Sequence, residues 1–130
     1  MIALDTDALI DLFRGEESLR KALDALSGPF CTSIINFQEL MFGLDFSNPS
    51  HRSEEQFYEE ILDSLFLFPL SKETSKKASM VFWELRMKGK EIGRFDCMVA
   101  GILLTYGADA IVTRNAKDFQ RIPGMTVISY

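Results

Sequence analysis

The sequence predicts an α/β chain: three layers, with a central parallel sheet of four to five strands flanked by helices. Two observations carry this. Short apolar, β-prone runs alternate with stretches of helical periodicity along the whole chain, and strands alternating with helices make parallel sheets covered on both faces. A third observation bounds the size: 130 residues with 47% hydrophobic side chains fit one domain, residues 1–130, that can bury a core without disulfides.

The elements follow in order. Ile2 to Leu4 reads as a buried strand, and Ala8, Leu9, Leu12 and Phe13 then recur at helical spacing until Gly15. A second amphipathic stretch carries Leu19, Ala22, Leu23 and Leu26 and stops at Ser27-Gly28-Pro29, before a second strand at Phe30-Cys31-Thr32. Ser33 can cap a helix with Phe37, Leu40, Met41 and Leu44 on one face and Glu39 on another. Ser47-Asn48-Pro49-Ser50 is turn chemistry, and Ser53-Glu54-Glu55-Gln56 has the form of a capping box that starts a helix running to about Leu65.

Phe66 to Leu70 reads as a third strand edged by Pro69, and Ser71 precedes a long helix with Ala78, Val81, Phe82 and Leu85 facing inward until Gly89. Gly93 leads into a helix containing Asp96, Val99, Ala100, Leu103 and Leu104, stopped by Gly107. Ala110 to Val112 is a fourth strand ending at Thr113, and Thr126 to Ile128 a fifth.

No apolar run approaches the roughly 20 residues that cross a bilayer, and the first residues lack the basic flank and cleavage pattern of a signal peptide. A soluble cytoplasmic protein is expected. Cys31 and Cys97 form no C-x-x-C and are read as buried free thiols. The net charge of -5 is unevenly spread: residues 1–70 carry 4 Lys/Arg against 13 Asp/Glu, whereas residues 71–130 carry 10 against 6. That asymmetry permits a basic lip beside an acidic pocket.

Asp5 closes the first strand at its carboxyl end, where open α/β sheets place their chemistry. Glu39, Asp96 and the Asn115/Asp118 pair also fall where strand or loop passes into helix, so four distant segments can aim oxygen ligands into one cleft. Two carboxylates about 4 Å apart repel by roughly 4 kcal/mol at an effective dielectric near 20. Converging acids therefore demand a cation. With one histidine and no clustered thiols, zinc is disfavoured, and oxygen ligands suit Mg²⁺ or Mn²⁺.

These residues resemble a known family, the PIN-domain ribonucleases of the VapC toxin type. The resemblance rests on Leu4-Asp5-Thr6-Asp7, on Gln38-Glu39-Leu40 followed by Gly43, and on Gly89-Lys90-Glu91-Ile92-Gly93-Arg94-Phe95-Asp96 with Ala100. It continues through Val112-Thr113-Arg114-Asn115 to Asp118-Phe119 and Ile122-Pro123-Gly124, so four blocks in family order span nearly the whole chain. It implies a PIN-like fold in which Asp5, Glu39 and Asp96 match the acidic metal ligands, and Thr113, Asn115 and Asp118 the final polar cluster. Either Asn115 or Asp118 completes the acidic site. The resemblance further implies a metal-dependent endoribonuclease held by a cognate VapB-type antitoxin, with RNA as substrate.

Arg94, Arg114, Lys117 and Arg121 are candidates to hold the RNA backbone. Phe42, Phe46 and Phe13 suggest more apolar surface than one small core hides, which favours a homodimer and a groove for a partner helix. Trp83 reads as core or interface packing, and His51, in the turn-rich loop, as solvated. Two rival readings stand beside the nuclease: a haloacid-dehalogenase-like phosphatase, because Asp5-Thr6-Asp7-Ala8-Leu9 imitates a phosphorylated-aspartate loop, and a PIN-like module that binds RNA without cutting it.

Overall fold

The structure, a computed structural model, describes residues 1–130. The apolar run Ile2–Leu4 forms β1 at the centre of one five-stranded sheet with Phe30–Ser33 (β2), Phe66–Phe68 (β3), Ala110–Val112 (β4) and Thr126–Ile128 (β5). All pairings are parallel and the strand order is β3-β2-β1-β4-β5. The chain builds outward from β1 through β2 to β3, then crosses to the other side of β1 to lay down β4 and β5. The order therefore reverses at the β1/β4 boundary, the place where open α/β sheets form a crevice at their carboxyl ends. Leu4 pairs with Val112 there, so Asp5 and Thr113 leave the sheet side by side.

Helices cover both faces. Thr6–Arg14 (α1), Glu17–Asp24 (α2), Ile34–Phe42 (α3) and Arg52–Asp63 (α4) precede β3; Lys72–Met87 (α5) and Arg94–Thr105 (α6) follow it, and Ala116–Phe119 (α7) lies between β4 and β5. Side chains alternate across a strand, so Ala3 and Ile111 enter a core with Val81, Leu85, Val99 and Leu103 while Leu4 and Val112 enter another with Leu9, Leu19, Leu40 and Tyr58. That division is the three-layer arrangement, with β1 and β4 wholly apolar because both of their faces are covered. Gly15 ends α1 in the left-handed region (φ 71°), and its N–H satisfies carbonyls of the last turn.

Three local expectations are corrected. The third strand stops at Phe68 rather than Leu70, because Pro69 has no N–H to continue a ladder. The helix expected to begin at a Ser53 cap begins at Arg52, straight from a 3-10 turn at Pro49–His51 whose cap is the Asn48 side chain; Ser53 lies inside α4. Phe13 is not surface: its ring packs 5.3 Å from Phe57 and 5.9 Å from Tyr58. Phe42 and Phe46 are exposed as expected, at 78% and 63%. Trp83 is half exposed, edge-on to Phe82 with the Arg86 guanidinium 5.2 Å from its ring centre. No helix is long and apolar enough to cross a membrane.

The site depends on α6 lying close to α5, and Gly101 sets that approach. A Cβ at Gly101 would stand 2.6 Å from the Ala78 amide nitrogen and from the Thr74 carbonyl oxygen, both backbone atoms. Gly101→Ala is therefore expected to destabilise the fold by about 3 kcal/mol through overpacking, read as a lower urea midpoint. An unchanged midpoint would mean that the two helices spread at no cost.

Candidate active site

Asp5 takes the N-cap position of α1 with extended backbone, yet its side chain makes no capping bond. Its carboxylate is 8% exposed and turns instead to distant partners: Oδ1 accepts from the Asn36 amide at 2.9 Å and Oδ2 from the Thr113 hydroxyl at 2.7 Å. Burial pushes this carboxyl above the usual range, and the charge of Glu39 adds to the push; the Thr113, Thr6 and Asn36 hydrogen bonds oppose it.

Asn36 escaped the sequence reading. Ser33 caps α3 and donates its N–H and its hydroxyl to Asn36 Oδ1, at 3.3 and 2.6 Å. With its oxygen so occupied, Asn36 must present its amide hydrogens to Asp5 and, at 3.1 Å, to the Thr6 hydroxyl. Thr6 in turn donates to Glu39 Oε2 from one turn further along α3. The visible signal was the Ser33-x-x-Asn36 spacing, a capping box with asparagine in place of the usual Glu or Gln.

Asp96 lies in the first turn of α6. Its carboxyl is pushed up to about 6, first by burial and then by the charges of Asp5, Asp118 and Glu39; the Asn115 amide, 3.4 Å from Oδ2, pulls the other way. The Thr113 hydroxyl that holds Asp5 also accepts the Asn115 N–H at 2.9 Å. Asp5, Glu39, Asp96, Thr113, Asn115 and Asp118 are thus gathered at the carboxyl end of the sheet from four separate segments.

No three of these acids stand together at metal-ligand distance. Their surroundings nevertheless fit a hard divalent cation. The four ion pairs of the molecule engage Glu17, Glu91, Glu84 and Asp11, so no Lys or Arg is paired with Asp5, Glu39, Asp96 or Asp118. The donors are oxygens throughout; Cys31 is buried and its thiol is pushed up to about 11 by burial, while His51 accepts the Asp45 N–H far along the chain. Oxygen-only sites suit Mg²⁺, Mn²⁺ or Ca²⁺ rather than zinc.

A second cluster adjoins the first. Asp11, on α1, is 2% exposed and holds the Arg114 guanidinium side-on, with Nη2 to Oδ1 at 3.1 Å and Nε to Oδ2 at 2.9 Å. The Tyr130 hydroxyl donates to the same carboxylate at 2.6 Å, and burial together with that bond raises the phenol, so it stays a donor. Arg114, a candidate to hold the RNA backbone, is thus tied to Asp11 while its side chain stays half exposed. Arg121 likewise spends a guanidinium hydrogen on the Glu91 carbonyl at 3.0 Å. Arg94 and Lys117 open α6 and α7 without an ion-pair partner, and the Arg94 guanidinium lies 5.8 Å from the Phe82 ring centre.

The family model described as PIN domain matches residues 2–125. The ribonuclease VapC of Rickettsia bellii (strain RML369-C) is 30% identical over 130 residues, covering 98% of this chain and 95% of that protein. The tRNA(fMet)-specific endonuclease VapC of Salmonella typhimurium is 27% identical over 125 residues, covering 95% of this chain and 93% of its own. Among solved structures, VapBC2 from Rickettsia felis bound to a DNA fragment from the promoter has a chain of the same fold, with a TM-score of 0.83 at 24% identity, covering all of this chain and 99% of that one.

Proposed function

The chain belongs to the PIN-domain family, among its VapC-type ribonucleases, and from this membership we propose how it cuts RNA. Asp5, Glu39 and Asp96, completed by Asp118, hold a divalent cation, Mg²⁺ or Mn²⁺, and the reaction is endonucleolytic hydrolysis of phosphodiester bonds. The observation that carries this reading is the convergence of Asp5, Glu39, Asp96 and Asp118 on one site with no Lys or Arg ion-paired to any of them. When bound, such a cation supplies a water of lowered pKa and neutralises charge on the phosphate.

The chain's own residues do the rest. Asn36 and Thr113 fix the two oxygens of Asp5, and Thr6 steadies Glu39. Asn115 holds Asp96 through its amide, while Arg94 and Lys117 draw in the RNA backbone by charge. The partners are RNA, a VapB-type antitoxin and a second copy of the chain, with exposed Phe42 and Phe46 offering apolar surface for a protein partner. The compartment is the cytoplasm. Family membership sets the phosphatase alternative aside.

The deciding experiment is incubation of a labelled hairpin RNA with the purified chain. Cleavage is expected in Mg²⁺ or Mn²⁺, none in excess EDTA, and recovery when the ion is restored. Undiminished cutting in EDTA would remove the cation from the mechanism. RNA retention without cleavage in every buffer would leave the non-catalytic binding module instead.

A further inference from the structure

We propose that Arg114 is a positioning residue for RNA cleavage, gripped by Asp7 and Asp11 of α1 so that its neighbours Thr113 and Asn115 reach Asp5 and Asp96. The proposal rests on the reading of Asp5 and Asp96 as cation ligands.

Arg114 separates the two residues of the β4–α7 segment that touch the acids. Asp7 and Asp11 stand four apart on α1, hence on one face of that helix. Asp7 Oδ2 accepts the Arg114 backbone N–H at 3.1 Å, and Asp11 takes the far end of the same residue through two guanidinium nitrogens. Both ends of Arg114 are thereby tied to α1. An ionised carboxylate as deeply buried as Asp11 requires partners, and the planar guanidinium fork with the Tyr130 hydroxyl supplies three bonds to it.

This clamp spans the β1/β4 boundary. The segment after β1 carries Asp5, Asp7 and Asp11, and the segment after β4 carries Thr113, Arg114 and Asn115. The bonds that cross the boundary at the site, Thr113 to Asp5 at 2.7 Å and Arg114 N–H to Asp7, depend on the two segments keeping one register. The Asn115 amide reaches Asp96 at 3.4 Å, near the limit of a hydrogen bond, so a small drift of this segment breaks it. The two guanidinium nitrogens that would form a fork on a phosphate, Nε and Nη2, already lie against a buried acid, although the side chain is half exposed.

The test uses Asp11→Asn and Arg114→Lys, which break the fork but keep the positive charge. Each is expected to lower kcat about tenfold to a hundredfold with KM within about threefold, and to weaken Mn²⁺ binding in calorimetry by about tenfold. The double variant is expected to fall no further than the weaker single one, as for residues acting as a unit. Tyr130→Phe deletes one hydroxyl only, so it tests the clamp even if the other chains fold poorly; about threefold slower turnover is expected for the loss of one of three bonds. Unchanged kcat and Mn²⁺ affinity in these variants would overturn the proposal, as would a rise in KM alone, which would make Arg114 a phosphate contact. Asp5→Asn, assayed alongside, keeps the two readings apart. Retained activity in that variant sinks the ligand assignment, whereas its inactivity beside normal rates in Asp11→Asn and Arg114→Lys rejects the clamp alone.

Discussion

Asp5→Asn is expected to cut the single-turnover rate of RNA cleavage by a thousandfold or more, about 4 kcal/mol of transition-state stabilisation, while leaving the fold in place. The loss follows from chemistry: asparagine removes the negative charge that fixes the cation at the β1/β4 crevice. The intact fold follows from the surroundings. Asparagine can keep its oxygen on the Asn36 amide, and the Thr113 hydroxyl, which already accepts the Asn115 N–H, can rotate to meet the new amide. Burial holds the Asp5 carboxyl above its ordinary range, so the native state carries a charge it does not favour, and neutralising it relieves that cost. Melting temperature in EDTA is therefore expected to hold or rise. Metal-dependent cleavage at the normal rate in Asp5→Asn would reject the assignment, and a collapsed melting transition would show that Asp5 serves the fold instead.

The parts of this site that could be read in the sequence are those marked by local transitions. Asp5 closes an apolar run and Asp96 opens a helix after a glycine, so each declares its position within a few residues. Periodicity alone puts Glu39 off the apolar stripe of its helix, and in the fold its charge acts on Asp5 and Asp96. Asn36 was missed because its role depends on which way its amide is turned, and that is decided by two donors of Ser33 rather than by spacing. Charge alone makes Arg114 a candidate for the RNA backbone. In the fold it meets Asp11, which also takes the Tyr130 hydroxyl; Asp11 lies 103 residues before Arg114 and 119 before Tyr130, and no local pattern marks such a meeting. The strand ending at Phe68 shows the opposite limit: the run to Leu70 is apolar enough, but Pro69 cannot extend the ladder.

Asp96→Asn is expected to reverse its stability ranking against the parent protein when a divalent cation is added. Burial and the neighbouring acids push the Asp96 carboxyl up to about 6 in the folded chain, from 3.8 in the reference state. At about pH 3, below both values, both states are largely protonated and the group costs almost nothing. Between pH 4 and 6 the native state keeps its proton while the unfolded chain loses one, so stability falls as pH rises, and above pH 6 the whole penalty is present. At 1.36 kcal/mol for each pKa unit the ceiling is about 3 kcal/mol. Solvent screening of this partly exposed group reduces it to about 1 to 2 kcal/mol, a few degrees of melting temperature for a chain this size. In EDTA at pH 7.5 the asparagine variant should therefore melt higher, and at about pH 3 the two should converge. Mn²⁺ at a hundredfold excess over its dissociation constant adds about 2.7 kcal/mol to a chain that binds it only when folded. The parent gains that increment and the variant loses most of it, so the order inverts in saturating Mn²⁺. Thermal melting at the two pH values, with and without the ion, reads all four corners. An equal Mn²⁺ shift in both chains would remove Asp96 from the ligand set, and an equal melting temperature in EDTA at pH 7.5 would show that its charge is already balanced in the fold.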